Sequence, residues 1–238
     1  MGLAYRHIQP IRGTKINRFS IVIPAAGMGL RMKSYGVKSL IDLSPSTNLI
    51  NHQLNIIRQT FINCEIILVT GFEAEKLNNR TPHDIIKIEN ERYETTNVVK
   101  SIGIGLNAAT SNGVLIVYGD LLFNDKALQI PLNESILVVD NGTMRVDEIG
   151  CRIENYYVNI LSYDLSPKWA QILFLKGKEL EMMRSLCCNK LNENLYGFEI
   201  INKIIEGGGK FRAYKPEGIK VNDLDTSKDL LTIKNIIT

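Results

Sequence analysis

Apolar runs of strand length alternate with longer segments of helical period over about the first 140 residues. FSIVIP (19–24), EIILVT (65–70), DIIKI (84–88), GVLIVYGD (113–120) and SILVVD (135–140) are rich in Ile and Val and are bounded by turn residues. Runs of this kind predict buried strands. Between them, NLINHQLNIIRQTF (48–61) sets Leu49, Ile50, Leu54, Ile57 and Phe61 on one helical face, and Asn97 to Ala109 predicts a second helix with Ser101 near its start. Strand and helix in alternation predict an α/β fold, a mostly parallel sheet covered by helices.

The second half is less regular. CRIENYYVNILSYD (151–164) alternates apolar and polar residues and predicts paired strands, while KGKELEMMRSLC (176–187) and LYGFEIINKIIEGGGK (195–210) predict helices. Gly207, Gly208 and Gly209 are a strong stop for the latter. FRAYKP (211–216) predicts a strand, and Thr226 to Ile237 a closing helix. Repeats, low-complexity tracts and long linkers are absent, so residues 19–238 are expected to form one domain. The preceding 1–18 carry Arg6, Arg12, Lys15 and Arg18 without an acid and are expected to be a basic, loosely ordered extension.

Composition narrows the classes. At 45% hydrophobic and 22% charged residues the chain is ordinary for a soluble globular protein, and a net charge of +3 gives no electrostatic case for nucleic acid. The amino terminus is polar and no run of about 18 apolar residues exists, so neither a signal peptide nor membrane insertion is expected, and a cytoplasmic location is. Cys64, Cys151, Cys187 and Cys188 form no C-x-x-C pair, which argues against a zinc site or a disulfide framework. His7, His52 and His83 stand in no nucleophile motif.

Three features carry candidate chemistry. In IVIPAAGMGLRMKSYGVKSL (21–40), Gly27-Met28-Gly29 follows a strand ending at Pro24, so the bend lies at a strand's carboxyl end, where open α/β sheets bind ligands. Glycines let backbone N–H groups approach an anion, and Arg31 and Lys38 add donors suited to phosphate. The dinucleotide pattern G-x-G-x-x-G fails at Met32, and no G-x-x-x-x-G-K-[ST] occurs. In VLIVYGDLLF, Asp120 follows an apolar strand at its carboxyl end, where it can serve as a turn residue or hold Mg2+ beside phosphates. In VNDLDTSKDL, Asp223 and Asp225 point to one face if extended, and Thr226 with Asp229 suits a helix cap.

Together these features resemble the nucleotidyltransferase superfamily, whose members include sugar-1-phosphate nucleotidylyltransferases and the small phosphocholine cytidylyltransferases. The first motif of that superfamily, A-A-G-x-G-x-R-M then P-K-x-L, matches Ala25-Ala26-Gly27-Met28-Gly29-Leu30-Arg31-Met32 and Lys38-Ser39-Leu40, with Val37 where proline is usual. TNVVKSIGIGLNAA, the Gly119-Asp120 pair and DLDTSKDL follow in the superfamily's order, and KWAQILFLKGKE is similar to its acceptor half.

The resemblance implies a three-layer α/β/α Rossmann-like fold of GT-A type with a mixed, mostly parallel central sheet. Its nucleotide half would cover about residues 19–140 and its acceptor half about 141–238. It implies transfer of a nucleotidyl group from a nucleoside triphosphate, CTP favoured, to a small phosphomonoester, either a sugar phosphate or a phosphocholine-like molecule, with release of pyrophosphate. Arg31 and Lys38 would be catalytic, and Asp120 and Asp225 would hold Mg2+. The nucleotide would lie against Ala25, Ala26, Gly27, Met28, Gly29, Gly71, Asn97 and Ser101, and the acceptor against Lys168 and Trp169. Two other classes remain open at this point. A glycosyltransferase on the same fold would want D-x-D after the central strand, where YGDLLFND offers only Gly-Asp. A non-catalytic nucleotide-binding module would be expected to lack the charged set.

Overall fold

The computed structural model describes residues 19–29 and 36–224. Its strands, in chain order, are β1 (Ser20–Pro24), β2 (Asp42–Ser44), β3 (Thr47–Asn48), β4 (Glu65–Thr70), β5 (Ile86–Glu89), β6 (Gly113–Val117), β7 (Leu121–Phe123), β8 (Ile136–Asp140), β9 (Gly150–Glu154), β10 (Tyr157–Ser162), β11 (Lys168–Lys176), β12 (Arg212–Tyr214) and β13 (Val221–Asp223). The α-helices are α1 (Leu49–Thr60), α2 (Ala74–Asn79), α3 (Val98–Ala108), α4 (Gly177–Cys188) and α5 (Gly197–Glu206). None of the described helices is long and apolar enough to cross a membrane. The predicted closing helix, with Thr226 and Asp229, lies outside the described residues, as does the basic extension.

The central sheet runs β5-β4-β1-β6-β11-β8-β12-β10-β9. The expected mixed sheet divides by half. β5, β4, β1 and β6 are mutually parallel, whereas β11 is antiparallel to both β6 and β8. The predicted hairpin is β9–β10, and its connection places Asn155 (φ 49°) and Tyr156 (φ 72°) in the left-handed region that a tight two-residue hairpin turn requires. β7 and β13 form a separate two-stranded ribbon, with Asp223 opposite Leu121.

β1, β4, β6 and β8 are buried nearly end to end, which demands helices on both faces of the sheet. α3, α4 and α5 pack side by side on one face, and α3 lies on β1 and β4. Val22 meets α3 at Gly105, so the alternation of a strand turns Ile21 and Ile23 to the opposite face, where both are also fully buried. α1 belongs to that second layer. Asn48 caps it by accepting the Asn51 N–H at 3.0 Å, and Leu49, Ile50, Leu54 and Ile57 are buried as the helical spacing requires.

β11 has no counterpart among the elements predicted from the sequence. Its residues Trp169, Ala170, Ile172, Leu173, Phe174 and Leu175 are all buried, so the run lacks the polar alternation that marks a half-exposed strand. The position of β11 between β6 and β8 matters for the site, because it sets the acceptor half directly beside Asp120.

Candidate active site

A cleft of about 270 Å3 opens at the carboxyl ends of the parallel strands. Its lining brings together Ala25, Ala26, Gly27, Gly29 and Lys38 from the first motif, Asn97 and Ser101 from the start of α3, and Asp120 after β6. Residues far apart in sequence therefore converge on one cleft. Met28 is half-buried and is not part of the lining. Arg31 and Asp225 lie outside the described residues.

The loop after β1 is held by its neighbours. Ala25 N–H donates to Val69 O at 2.8 Å, and Phe72 N–H donates to Ala26 O at 3.1 Å, so the loop continues the β1–β4 pairing one step past the sheet. Gly71 serves this packing. A Cβ there would fall 2.8 Å from Ala26 Cβ and 2.8 Å from Tyr93 Cβ. Its role is to let the two loops close on each other, and it does not itself line the cleft. Gly27 is the opposite case: a Cβ there would meet nothing within 4 Å, so bare backbone faces open space. A planar base can lie against such a wall.

The side chains of the nucleotide half are already partly engaged. Asn97 Oδ1 accepts the Val98 N–H at 2.8 Å and so caps α3, leaving its amide N–H groups for a ligand. Ser101 is buried and its Oγ accepts from Asn90 Nδ2 at 3.2 Å. Asn90 also donates to Thr96 Oγ1 at 3.2 Å and accepts the Arg92 N–H at 3.1 Å. Asn90, Tyr93 and Thr96 line the cleft without having been singled out in the sequence. A signal existed for Asn90: it directly follows β5, as Asp120 follows β6. Arg92 then ties this segment to the other half through a bidentate pair with Glu193, at 2.8 and 2.6 Å. That pairing holds the Glu193 carboxyl below its usual range.

Lys38 Nζ lies 3.7 Å from Asp120 Oδ2, with the side chains 15% and 31% exposed. The turn bearing Asp120 is fixed from behind by Gln53, a fully buried residue of α1, whose Nε2 donates to Tyr118 O at 3.0 Å and to Leu121 O at 2.6 Å. On its other side Leu224 N–H donates to Asp120 O at 3.0 Å, so the chain leading into Asp225 is hydrogen-bonded to the Asp120 backbone. Burial and the nearby Asp120 carboxylate push the Tyr118 phenol above its usual range, so it stays protonated. Among the described lining residues Asp120 is the acidic side chain. Its partly exposed, hard oxygen donors suit a divalent cation with phosphate and water as further ligands. No group of three or more His, Cys, Asp or Glu side chains placed to hold a metal occurs among the described residues.

Lys168 and Trp169 stand differently from the expectation, for neither lines the cleft. Lys168 is 5% exposed and its ammonium sits 2.5 Å from Glu148 Oε1 and 3.4 Å from Asp223 Oδ1. Arg145 completes the cluster, 3.0 Å from Asp223 and 3.5 Å from Glu148. The Lys168 charge is thus spent within the fold, joining the β8–β9 connection to β13. Trp169 is 3% exposed and packs edge-on against Tyr118, ring centroids 5.8 Å apart, so it backs the cleft wall. From the acceptor half the described lining consists of Gln171 and Tyr196. No sequence signal pointed to either.

Comparison with known proteins agrees with this architecture. No curated protein matches the chain. Among solved structures, the CTP:phosphocholine cytidylyltransferase of Streptococcus pneumoniae superposes with a TM-score of 0.73 at 18% identity, covering 94% of this chain and all of that one. The inositol-1-phosphate CTP transferase of T. maritima gives 0.73 at 15% identity over 92% of this chain and 96% of that one. A nucleotidyl transferase of Methanothermobacter thermautotroptrophicus gives 0.64 at 17% identity over 91% and 95%. At these identities the likeness establishes the fold. Residues 21–184 match the model of the MobA-like NTP transferase domain. With that match spanning the loop after β1, the Asp120 turn and β11, the chain is a nucleotidyltransferase and belongs to the MobA-like NTP transferase family.

Proposed function

We propose that the chain transfers a cytidylyl group from CTP to a small phosphomonoester, a sugar phosphate or phosphocholine-like molecule, and releases pyrophosphate. The observation that carries this reading is the Lys38–Asp120 pair, 3.7 Å apart, in a cleft that is also lined by the open backbone of Gly27. A carboxylate facing an ammonium there can serve triphosphate and divalent cation together. The choice of CTP rests on the amide of Asn97 and the hydroxyl of Ser101 in the same cleft, and on the fold shared with two CTP-using proteins.

A phosphomonoester is largely dianionic near neutral pH, so the acceptor needs no general base. One of its oxygens attacks the α-phosphorus, the bond to the bridging oxygen breaks in line, and pyrophosphate departs with the bonding pair. What remains for the protein is to hold two anions together and to neutralise the charge that grows on the bridging oxygen. Lys38, with Arg31, would bind the triphosphate and stabilise the five-coordinate phosphorus. Asp120 and Asp225 would hold Mg2+, which when bound supplies charge neutralisation on the phosphate oxygens. The hydrogen bond from the Leu224 N–H to the Asp120 carbonyl ties the residue before Asp225 to the Asp120 backbone.

The test is pyrophosphate release with Mg2+, each of the four common triphosphates and a panel of phosphomonoesters. CTP should be the best donor, and Asp120→Asn should lower kcat by about 100-fold or more. Wild-type release that requires no acceptor would show a hydrolase, and silence with every pair would remove the proposal.

A further inference from the structure

Gln171 combines three properties that no other described residue of the acceptor half shares. Its backbone is left-handed, with φ 56°, in the middle of β11, where the β11–β8 register shifts between Trp169 and Leu173. That conformation is disfavoured for any residue with a Cβ and costs glycine nothing. The side chain is half-buried and lines the cleft, as expected where a bulge re-aims a strand residue. Its amide finds no hydrogen-bond partner among the described residues. A strained strand residue with an unpaired amide turned toward a ligand cleft is the pattern of a side chain kept for what the cleft holds.

The sheet order says what that is. Along β4-β1-β6-β11 the nucleotide wall follows β1, Asp120 follows β6, and Gln171 lies on the next strand, about 4.8 Å further from the base wall. Tyr196 lines the same cleft, its ring stacked on Phe198 with centroids 6.1 Å apart. Lys168 and Trp169 are withdrawn into the fold, so what the acceptor half offers the cleft is a neutral amide and an aromatic ring. Asp120, the acid in the lining, already faces Lys38.

We infer that Gln171 is the specificity-determining residue for the acceptor, and that its amide hydrogen-bonds a hydroxyl on a phosphomonoester whose body is uncharged and hydroxylated and packs beside Tyr196. An amide both donates and accepts, which matches a hydroxyl in both directions, whereas a quaternary ammonium has neither an N–H for its oxygen nor an acceptor for its N–H groups. This inference rests on the transferase reading.

The experiment compares wild type, Gln171→Gly and Gln171→Leu on CTP with hexose 1-phosphates, inositol 1-phosphate, glycerol 3-phosphate and phosphocholine. Glycine suits the left-handed backbone, so Gln171→Gly should keep its Tm or gain up to about 2 °C. Gln171→Leu keeps the bulk and removes the amide. Both variants should lose about tenfold or more in kcat/KM for the best hydroxylated acceptor while the KM for CTP stays within about twofold. Unchanged acceptor kinetics in both variants, or a parallel rise in the KM for CTP, would overturn the role of Gln171. Wild type that prefers phosphocholine would overturn the hydroxylated class. A wild type that releases no pyrophosphate with any pair would instead overturn the transferase reading, and this inference with it.

Discussion

Lys38 and Asp120 show how magnitude separates a functional pair from a stabilising one. At 3.7 Å and with side chains 15% and 31% exposed, the pair is screened by solvent and contributes about 0–1 kcal/mol to the fold. The same ammonium facing a triphosphate acts where charge develops, and a single such group supplies about 3 kcal/mol or more to a transition state. Lys38→Met is therefore expected to shift Tm by no more than about 3 °C while lowering kcat about 100-fold. Thermal melts and steady-state kinetics on one preparation decide it: a large loss of stability with kinetics intact would make the pair structural. Gln53 is the complementary case. It is fully buried, never reaches the cleft, and holds the Asp120 turn through two backbone carbonyls.

At the scale of elements, β11 decides how the two halves meet. Its first residue, Lys168, pairs with Asp140 of β8 and with Gly150 of β9, and its ammonium joins Glu148 to Asp223 of β13. Removing one partner from a buried charge cluster costs about 3–5 kcal/mol, because the remaining charges stay desolvated. Lys168→Met should accordingly lower Tm by about 10 °C. At a temperature where the variant is folded, its KM for the acceptor should match wild type. A raised acceptor KM with an unchanged Tm would restore the direct acceptor contact that the resemblance implied. That contact was legible in the motif only as a lysine in the right segment. Burial of its ammonium depends on Glu148 and Asp223, which lie 20 residues before and 55 residues after it.

For the molecule as a whole, the buried thiols report on how the layers are packed. Burial pushes the Cys151 thiol and the Cys187 thiol each from an ordinary 9.0 up to about 12. The folded state therefore favours the neutral thiol. The stabilisation this provides is complete below pH 9 and is lost as pH rises toward 12. The urea midpoint is expected to fall across that window, and more steeply for wild type than for Cys151→Ala/Cys187→Ala. In native protein at pH 8, iodoacetamide should label exposed Cys188 and leave Cys151 and Cys187 untouched until unfolding. Rapid native labelling of either buried thiol would show that the layers open far more readily than their packing implies.

The amino-acid sequence by itself determined the parallel strands, the apolar face of α1, the β9–β10 hairpin and the family, because each depends on spacing within a short segment. It also singled out Gly27 and Asp120, since a strand's carboxyl end places a polar or glycine residue at a sheet edge wherever the strand lies, and the resemblance to the superfamily's motifs added Asn97 and Ser101 and gave Lys38 its role. Only the tertiary structure decided which residues beyond those ends face the cleft. Trp169 and Gln171 are two apart on one strand, yet one is buried behind Tyr118 and the other lines the cleft. The bulge between β11 and β8 sets that difference, and it arises from pairing with strands distant in sequence. Local pattern carries the faces of an element, but the neighbours across the sheet choose which face meets the substrate.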